Sequence, residues 1–199
     1  MAAEGRGPAA VAPAPAADDA APGRRRRRWW PAVAVVVLAL VLARLFVAEP
    51  FRIDSGSMEP TLRPGDRVLV NKRAYGDDLP RRGDLVVFHA PRTREVTLKR
   101  AIGLPGDTVA IEDGVLVVNG RPRREPYADP ESIDSVYFGP SRVPPGTVFV
   151  LGDNRADSID SRRFGPVARR ALIGRVGIRV WPPGRWGNPN GPLRDPATE

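Results

Sequence analysis

The sequence predicts a mainly β domain, a folded sheet or barrel, preceded by one transmembrane helix. Three observations lead there. An apolar segment of twenty residues lies between Trp29 and Ala48. Beyond it, short apolar runs are broken repeatedly by Gly, Pro and Asp, the punctuation of strands and tight turns. No segment after residue 48 carries a helical period of adequate length.

Taken in order, residues 1–28 are expected to form a disordered basic tail. The first 23 are mostly Ala, Pro and Gly, with too little apolar surface to bury, and Arg24 to Arg28 follow as a basic run. Residues 29–48 are the expected anchor, about 30 Å long as a helix and matched to a hydrocarbon core. Trp29 and Trp30 suit the near interface, and Arg44, close to the far end, can snorkel outward. The arginine run places the N-terminus on the cytoplasmic side and everything after residue 48 outside. A cleaved leader has a similar layout. Against it, the segment is long, and Phe46 occupies the third position back from Ala48, where a cleavage site wants a small residue.

The domain proper is expected over 49–181. Candidate strands are 66–70, 84–88, 96–102, 108–111, Val115–Val118, Thr147–Leu151 and 172–180. Asp113-Gly114 is a strong hairpin signal and Asn119-Gly120 marks a second turn. The Pro-, Arg- and Ser-rich stretch 121–146 reads as a long loop. Residues 182–199 read as a disordered tail.

Composition narrows the function. The formal charge of +8 raises nucleic acid as a partner. The arginine run already has an explanation in topology, and no aromatic-basic interleaving accompanies the rest, so no nucleic-acid role is expected. With no cysteine and one histidine, neither a disulfide nor a Cys/His metal site can form, and no cofactor is expected.

Just past the apolar segment the chain reads Ser55-Gly56-Ser57-Met58-Glu59-Pro60-Thr61. The heptapeptide fits a turn after the membrane helix as well as it fits a nucleophile held near a bilayer. A nucleophilic Ser57 needs a base. His89, the one histidine, ends the run Leu85-Val86-Val87-Phe88 and reads as a structural strand-end residue. Lysine is the alternative. Of 31 basic residues only Lys72 and Lys99 are lysine. Arginine does not deprotonate in a protein, whereas a desolvated lysine does. Strand alternation puts Lys99 on one face with Thr97 and Ala101, small neighbours that can line a cleft. Lys72 sits at a strand end and reads as an ion-pair partner. A third stretch, Gly152 to Arg162, is dense in hydrogen-bonding side chains. It reads as an active-site wall in which Asp160 and Arg162 pair to stiffen the loop.

Together these stretches resemble bacterial type I signal peptidase, the membrane-anchored leader peptidase with a Ser-Lys dyad. The likeness rests on Ser55 through Leu62, Gly65-Asp66-Arg67-Val68 through Lys72, Arg82-Gly83-Asp84-Leu85-Val86-Val87-Phe88, Lys99 through Asp107, and Gly152 through Arg162 with Gly165, in that order behind an anchor. It covers about residues 29–180. The resemblance implies Ser57 as nucleophile and Lys99 as general base. The Ser57 N–H and Ser55 hydroxyl would form the oxyanion hole, and Ser158 would hydrogen-bond the lysine amine. Asp160, Arg162 and Arg100 would brace the site, and Met58 would shield the lysine from water. It further implies a serine endopeptidase of the plasma membrane, single-pass, with its catalytic domain outside. Its partners would be exported preproteins with small-x-small cleavage sites, the bilayer, and the secretion translocon nearby. Phe51 and Ile53, close to the anchor, are expected to help the domain touch the outer leaflet. The short 121–146 loop implies a reduced accessory β region.

Two rival readings differ in kind. A self-cleaving Ser-Lys repressor shares such a core but is soluble and carries a DNA-binding domain. A membrane-anchored β module that only binds exported proteins would need neither Ser57 nor Lys99. The S-x-x-K pattern of penicillin-binding proteins is excluded, because Pro60 stands three residues after Ser57.

Overall fold

The computed structural model describes residues 29–46, 48–76, 78–128 and 137–190. The expected tail 1–28 and the end of the chain, 191–199, lie outside them. Two compact units divide between Ala39 and Leu40. The boundary falls within helix α1 (Trp30–Phe46), seventeen residues whose described apolar side chains are exposed. Among the described residues no helix is long and apolar enough to cross a membrane. The helix is shorter than the twenty residues expected, because Ala48 is already the first residue of a strand, opposite Asn71.

Among the described residues eleven strands follow: β1 (Ala48–Arg52), β2 (Arg67–Asn71), β3 (Leu85–His89), β4 (Val96–Gly103), β5 (Thr108–Glu112), β6 (Val115–Val118), β7 (Arg121–Pro122), β8 (Phe138–Arg142), β9 (Thr147–Leu151), β10 (Val167–Ala168) and β11 (Leu172–Trp181). They form a seven-stranded sheet, β1-β2-β11-β3-β4-β9-β10, and a four-stranded one, β7-β6-β5-β8, with every pairing antiparallel. All seven expected strands are present within one residue at each end. Both turn signals hold. Asp113 and Gly114 take φ of 50° and 76°, Asn119 and Gly120 take 56° and 72°. These are the paired positive angles of a two-residue hairpin turn.

Three expectations are corrected. The supposed loop 121–146 contributes β7 and β8, and Tyr127, Ala128 and Val143 are buried in the core of the smaller sheet with Ile102, Val109 and Phe149. Strand β8, Phe-Gly-Pro-Ser-Arg, has no apolar alternation and forms because β5 offers its edge. The supposed tail from residue 182 is also structured as far as 190. Asn190 accepts the Leu85 N–H at 2.7 Å and donates to the Val176 carbonyl at 2.7 Å, so the segment straps across the large sheet. Ile53 is no lipid-facing residue either. It is buried with Met58, Leu62, Val68 and Leu98, and Phe51 packs against that cluster.

Candidate active site

Ser57 sits in a single 3-10 turn, Gly56–Met58, that follows β1. Gly56 and Pro60 suit this tight geometry, and Met58 is driven into the core beside Leu98, which fixes the turn from below. From above, the Asn154 N–H donates to the Ser57 carbonyl at 3.2 Å and the Asn154 amide to the Gly56 carbonyl at 3.3 Å. The Ser57 side chain therefore projects from a backbone held on both sides. Ser55 Oγ lies 3.2 Å from Ser57 Oγ.

Lys99 comes from the middle of β4. Its Nζ and Ser57 Oγ are hydrogen-bonded at 2.6 Å, across 42 residues of sequence. Lys99 is 3 % exposed and Ser57 8 %. Cross-strand from Lys99 is Val86, fully buried, and Ala101 follows on the same face. Burial among these groups disfavours the ammonium and pushes the Lys99 pKa from 10.5 down to about 8. The charges of Asp160, Asp153 and Asp157 oppose that shift and Arg162 assists it, but desolvation is the largest effect. The amine is thus a base available near neutral pH, in contact with a hydroxyl.

The loop 152–162 closes the site. A Cβ built on Gly152 would stand 2.2 Å from Ser158 Oγ and 2.6 Å from the Ser57 carbonyl oxygen. Only glycine lets the loop approach Ser57 so closely. Asp160 is wholly buried and grips Arg162 with both oxygens, at 2.8 and 2.9 Å, while also accepting the Gly152 N–H at 3.1 Å. Burial works against the Asp160 charge. The Arg162 pair and the Gly152 N–H outweigh it and hold the carboxyl below its ordinary pKa. The ion pair expected between Asp160 and Arg162 is therefore formed.

Arg100 is 0 % exposed. It makes a forked pair with Asp153, Nε to Oδ1 at 2.8 Å and Nη2 to Oδ2 at 2.6 Å, and donates to the Gly83 carbonyl at 2.8 Å. A buried guanidinium needs this degree of satisfaction. The pair ties β4, next to Lys99, to the first residues of the closing loop.

Ser57, Ser55, Met58, Lys99, Arg100, Ser158, Asp160 and Arg162 thus assemble around one turn. One expected contact is not made: Ser158 Oγ is buried with no hydrogen bond to Lys99, and it faces the Asp160 carboxylate, whose charge it helps to hold. His89 ends β3, exposed, with Nδ1 3.1 Å from the Arg94 carbonyl oxygen. Lys72 pairs with Glu49 at 3.2 Å. Sequence reasoning singled out neither Asp153 nor Asn154, although both stand in the Gly152–Arg162 stretch. Nor did it find the C-terminal strap, whose Arg185 donates to the Thr61 carbonyl at 3.1 Å, beside Arg179 of β11 at 2.8 Å, so that both hold the segment that follows the Ser57 turn. No motif announces contacts between residues so far apart in the chain.

Comparison with known proteins bears on this site. The profile of the family described as signal peptidase, peptidase S26, matches residues 26–181. A signal peptidase I of Leptolyngbya laminosa is 45 % identical over 160 residues, covering 76 % of this chain and 77 % of that protein. A signal peptidase I of Bacillus caldolyticus is 43 % identical over 161 residues, covering 74 % and 87 %. The crystal structure of a signal peptidase I from Enterococcus faecalis superposes with a TM-score of 0.45 and 36 % identity, over 50 % of this chain and 97 % of that one.

Proposed function

Because this chain belongs to the signal peptidase family, peptidase S26, and is a serine endopeptidase, we propose that it removes N-terminal signal peptides from exported preproteins with Ser57 as nucleophile and Lys99 as general base. The observation that carries the residue assignment is the 2.6 Å contact between Ser57 Oγ and a lysine amine kept largely from water.

The chemistry follows from that contact. With Lys99 neutral, the Ser57 hydroxyl donates to Nζ, and the proton passes to the amine as Oγ attacks the scissile carbonyl carbon. The Ser57 N–H and the Ser55 hydroxyl receive the negative charge that develops on the carbonyl oxygen. The Lys99 ammonium returns the proton to the leaving nitrogen as the C–N bond breaks, which leaves an ester on Ser57. A water then gives its proton to the regenerated Lys99 amine as its oxygen attacks the ester carbon, and the Lys99 ammonium returns that proton to Ser57 Oγ as the ester C–O bond breaks and the acid leaves. Ser158, Asp160, Arg162 and Arg100 hold the loop and strand that position these groups, and Met58 keeps water from below.

A place for substrate is available beside the dyad. Strand β9 pairs with β4 only from Arg100 onward, so at residues 96–99 β4 is hydrogen-bonded to β3 alone. An extended segment around the cleavage site can add there as a further strand, its scissile carbonyl reaching Ser57. Small-x-small sequences suit the shallow space between that edge and the nucleophile's turn.

Purified protein incubated with a preprotein should produce one new N-terminus, placed after a small residue and read by sequencing. Absence of cleavage, or cleavage at scattered sites, counts against the assignment. The same outcome separates the peptidase from a β module that only binds exported proteins.

Attachment to the plasma membrane, with the translocon nearby, is proposed on segment 29–48 and the arginines before it, of which α1 forms seventeen residues. Protease added outside intact spheroplasts should then digest the domain beyond residue 49. Protection of that domain would reverse or remove the orientation.

A further inference from the structure

We infer that Glu125 and Tyr127, which lie in the stretch between β7 and β8, are positioning residues for the catalytic loop 152–162. The inference rests on the Ser57-Lys99 reading above. Tyr127 and Ala128 are fixed in the core of the smaller sheet, so these two residues form a support. From it, the Tyr127 ring lies against the Arg100 guanidinium, 3.8 Å from ring centroid to Cζ. The other functional end of the same side chain, its hydroxyl, donates to Glu125 Oε1 at 2.9 Å. That carboxylate oxygen in turn pairs with Arg155 Nη2. Both partners are almost fully buried, with side chains 5 % and 1 % exposed.

Arg155 carries the constraint into the loop. Its Nε donates to the Gly152 carbonyl at 2.9 Å, and its own carbonyl accepts Arg162 Nη2 at 2.8 Å. Between those two points lies Asn154, whose N–H holds the Ser57 carbonyl. A path of direct contacts therefore runs from the smaller sheet through Tyr127, Glu125 and Arg155 to the residue that fixes the nucleophile. A second branch, Tyr127 to Arg100, reaches the neighbour of Lys99. Glu125 is the neutralising group on this path. Without its charge, the buried Arg155 guanidinium is drawn toward other acceptors, and the loop moves with it.

Steady-state cleavage of a preprotein by Glu125→Gln, Tyr127→Phe and the double variant Glu125→Gln/Arg155→Met tests this, with melting temperatures measured in parallel. Displacement of a reacting group by about 1 Å costs up to about 10²-fold in rate. Folded Glu125→Gln is therefore expected to lose about 10- to 100-fold in kcat with KM within about twofold, because the β4 edge is untouched. Tyr127→Phe, which keeps the ring over Arg100, should show a smaller loss in the same sense, and it carries the test if Glu125→Gln does not fold. In the double variant the stranded charge is gone, so melting temperature should recover while kcat stays low. Recovery of kcat together with melting temperature would reduce the pair to a structural role and overturn the inference. So would unchanged kcat in folded Glu125→Gln or, if that variant is unfolded, in Tyr127→Phe. Lys99→Arg is run alongside. If it is active, the dyad reading fails; if it is dead while folded Glu125→Gln turns over normally, only the positioning role fails.

Discussion

Ser57→Ala is expected to fold normally and to lose preprotein cleavage by roughly 10⁴–10⁶-fold, the range reached when a serine nucleophile is removed. The folding half of the expectation follows from the contacts. Ser57 Oγ is hydrogen-bonded to Lys99 Nζ and Ser55 Oγ, and the turn is held by Met58 below and Asn154 above rather than by the hydroxyl. The activity half follows from the absence of a replacement: Ser55 Oγ is 3.2 Å away but has no such contact with a buried amine. Ser55→Ala should cost less, about 10²–10³-fold in turnover, as expected for one oxyanion donor. Cleavage assays with circular dichroism on the same samples decide the matter. Near-normal cleavage by Ser57→Ala would sink the mechanism.

Lys99→Arg should be as inactive as Lys99→Ala. Arginine keeps the positive charge but cannot lose its proton, so the substitution separates a base from a structural cation. At position 72 the same change should be tolerated, since Lys72 is a partly exposed partner of Glu49 and arginine can form that pair equally well. The pH profile carries independent weight. Only the neutral amine accepts the Ser57 proton, and burial sets its pKa at about 8. The rate should therefore rise with pH through about 8, falling about tenfold per unit well below it. Appreciable cleavage by folded Lys99→Arg, or a rate that falls as pH rises through this range, would exclude Lys99 as the base.

Much of this could be read from the chain because the signals are local. A period of two marks a strand wherever it falls, and Asp113-Gly114 and Asn119-Gly120 specify their turns without outside help. What escaped was the part whose order comes from its neighbours. Strand β8 has no apolar alternation of its own and exists as a ladder on β5. Residues 182–190 are held by Asn190, Arg179 and Arg185 reaching distant backbone groups. Ile53, next to the apolar segment in sequence, faces inward because β1 and the turn after it cover the core.

The proposed catalytic residues divide in the same way. Ser57 and Lys99 were legible as residue types: a serine among turn-formers, and a lysine kept in a chain that otherwise uses arginine. Whether Lys99 is desolvated enough to act as a base was not legible, because desolvation belongs to the fold. It took β3 to place Val86 beside Lys99, and 42 residues of chain to bring Nζ to 2.6 Å from Ser57 Oγ. The sequence by itself determined seven of the eleven described strands, the two hairpin turns and the residue types proposed to react. The tertiary structure alone decided the distances and the dryness of the site, and the coupling of Glu125 and Tyr127 to the loop above it, because these depend on contacts between segments that no local pattern encodes.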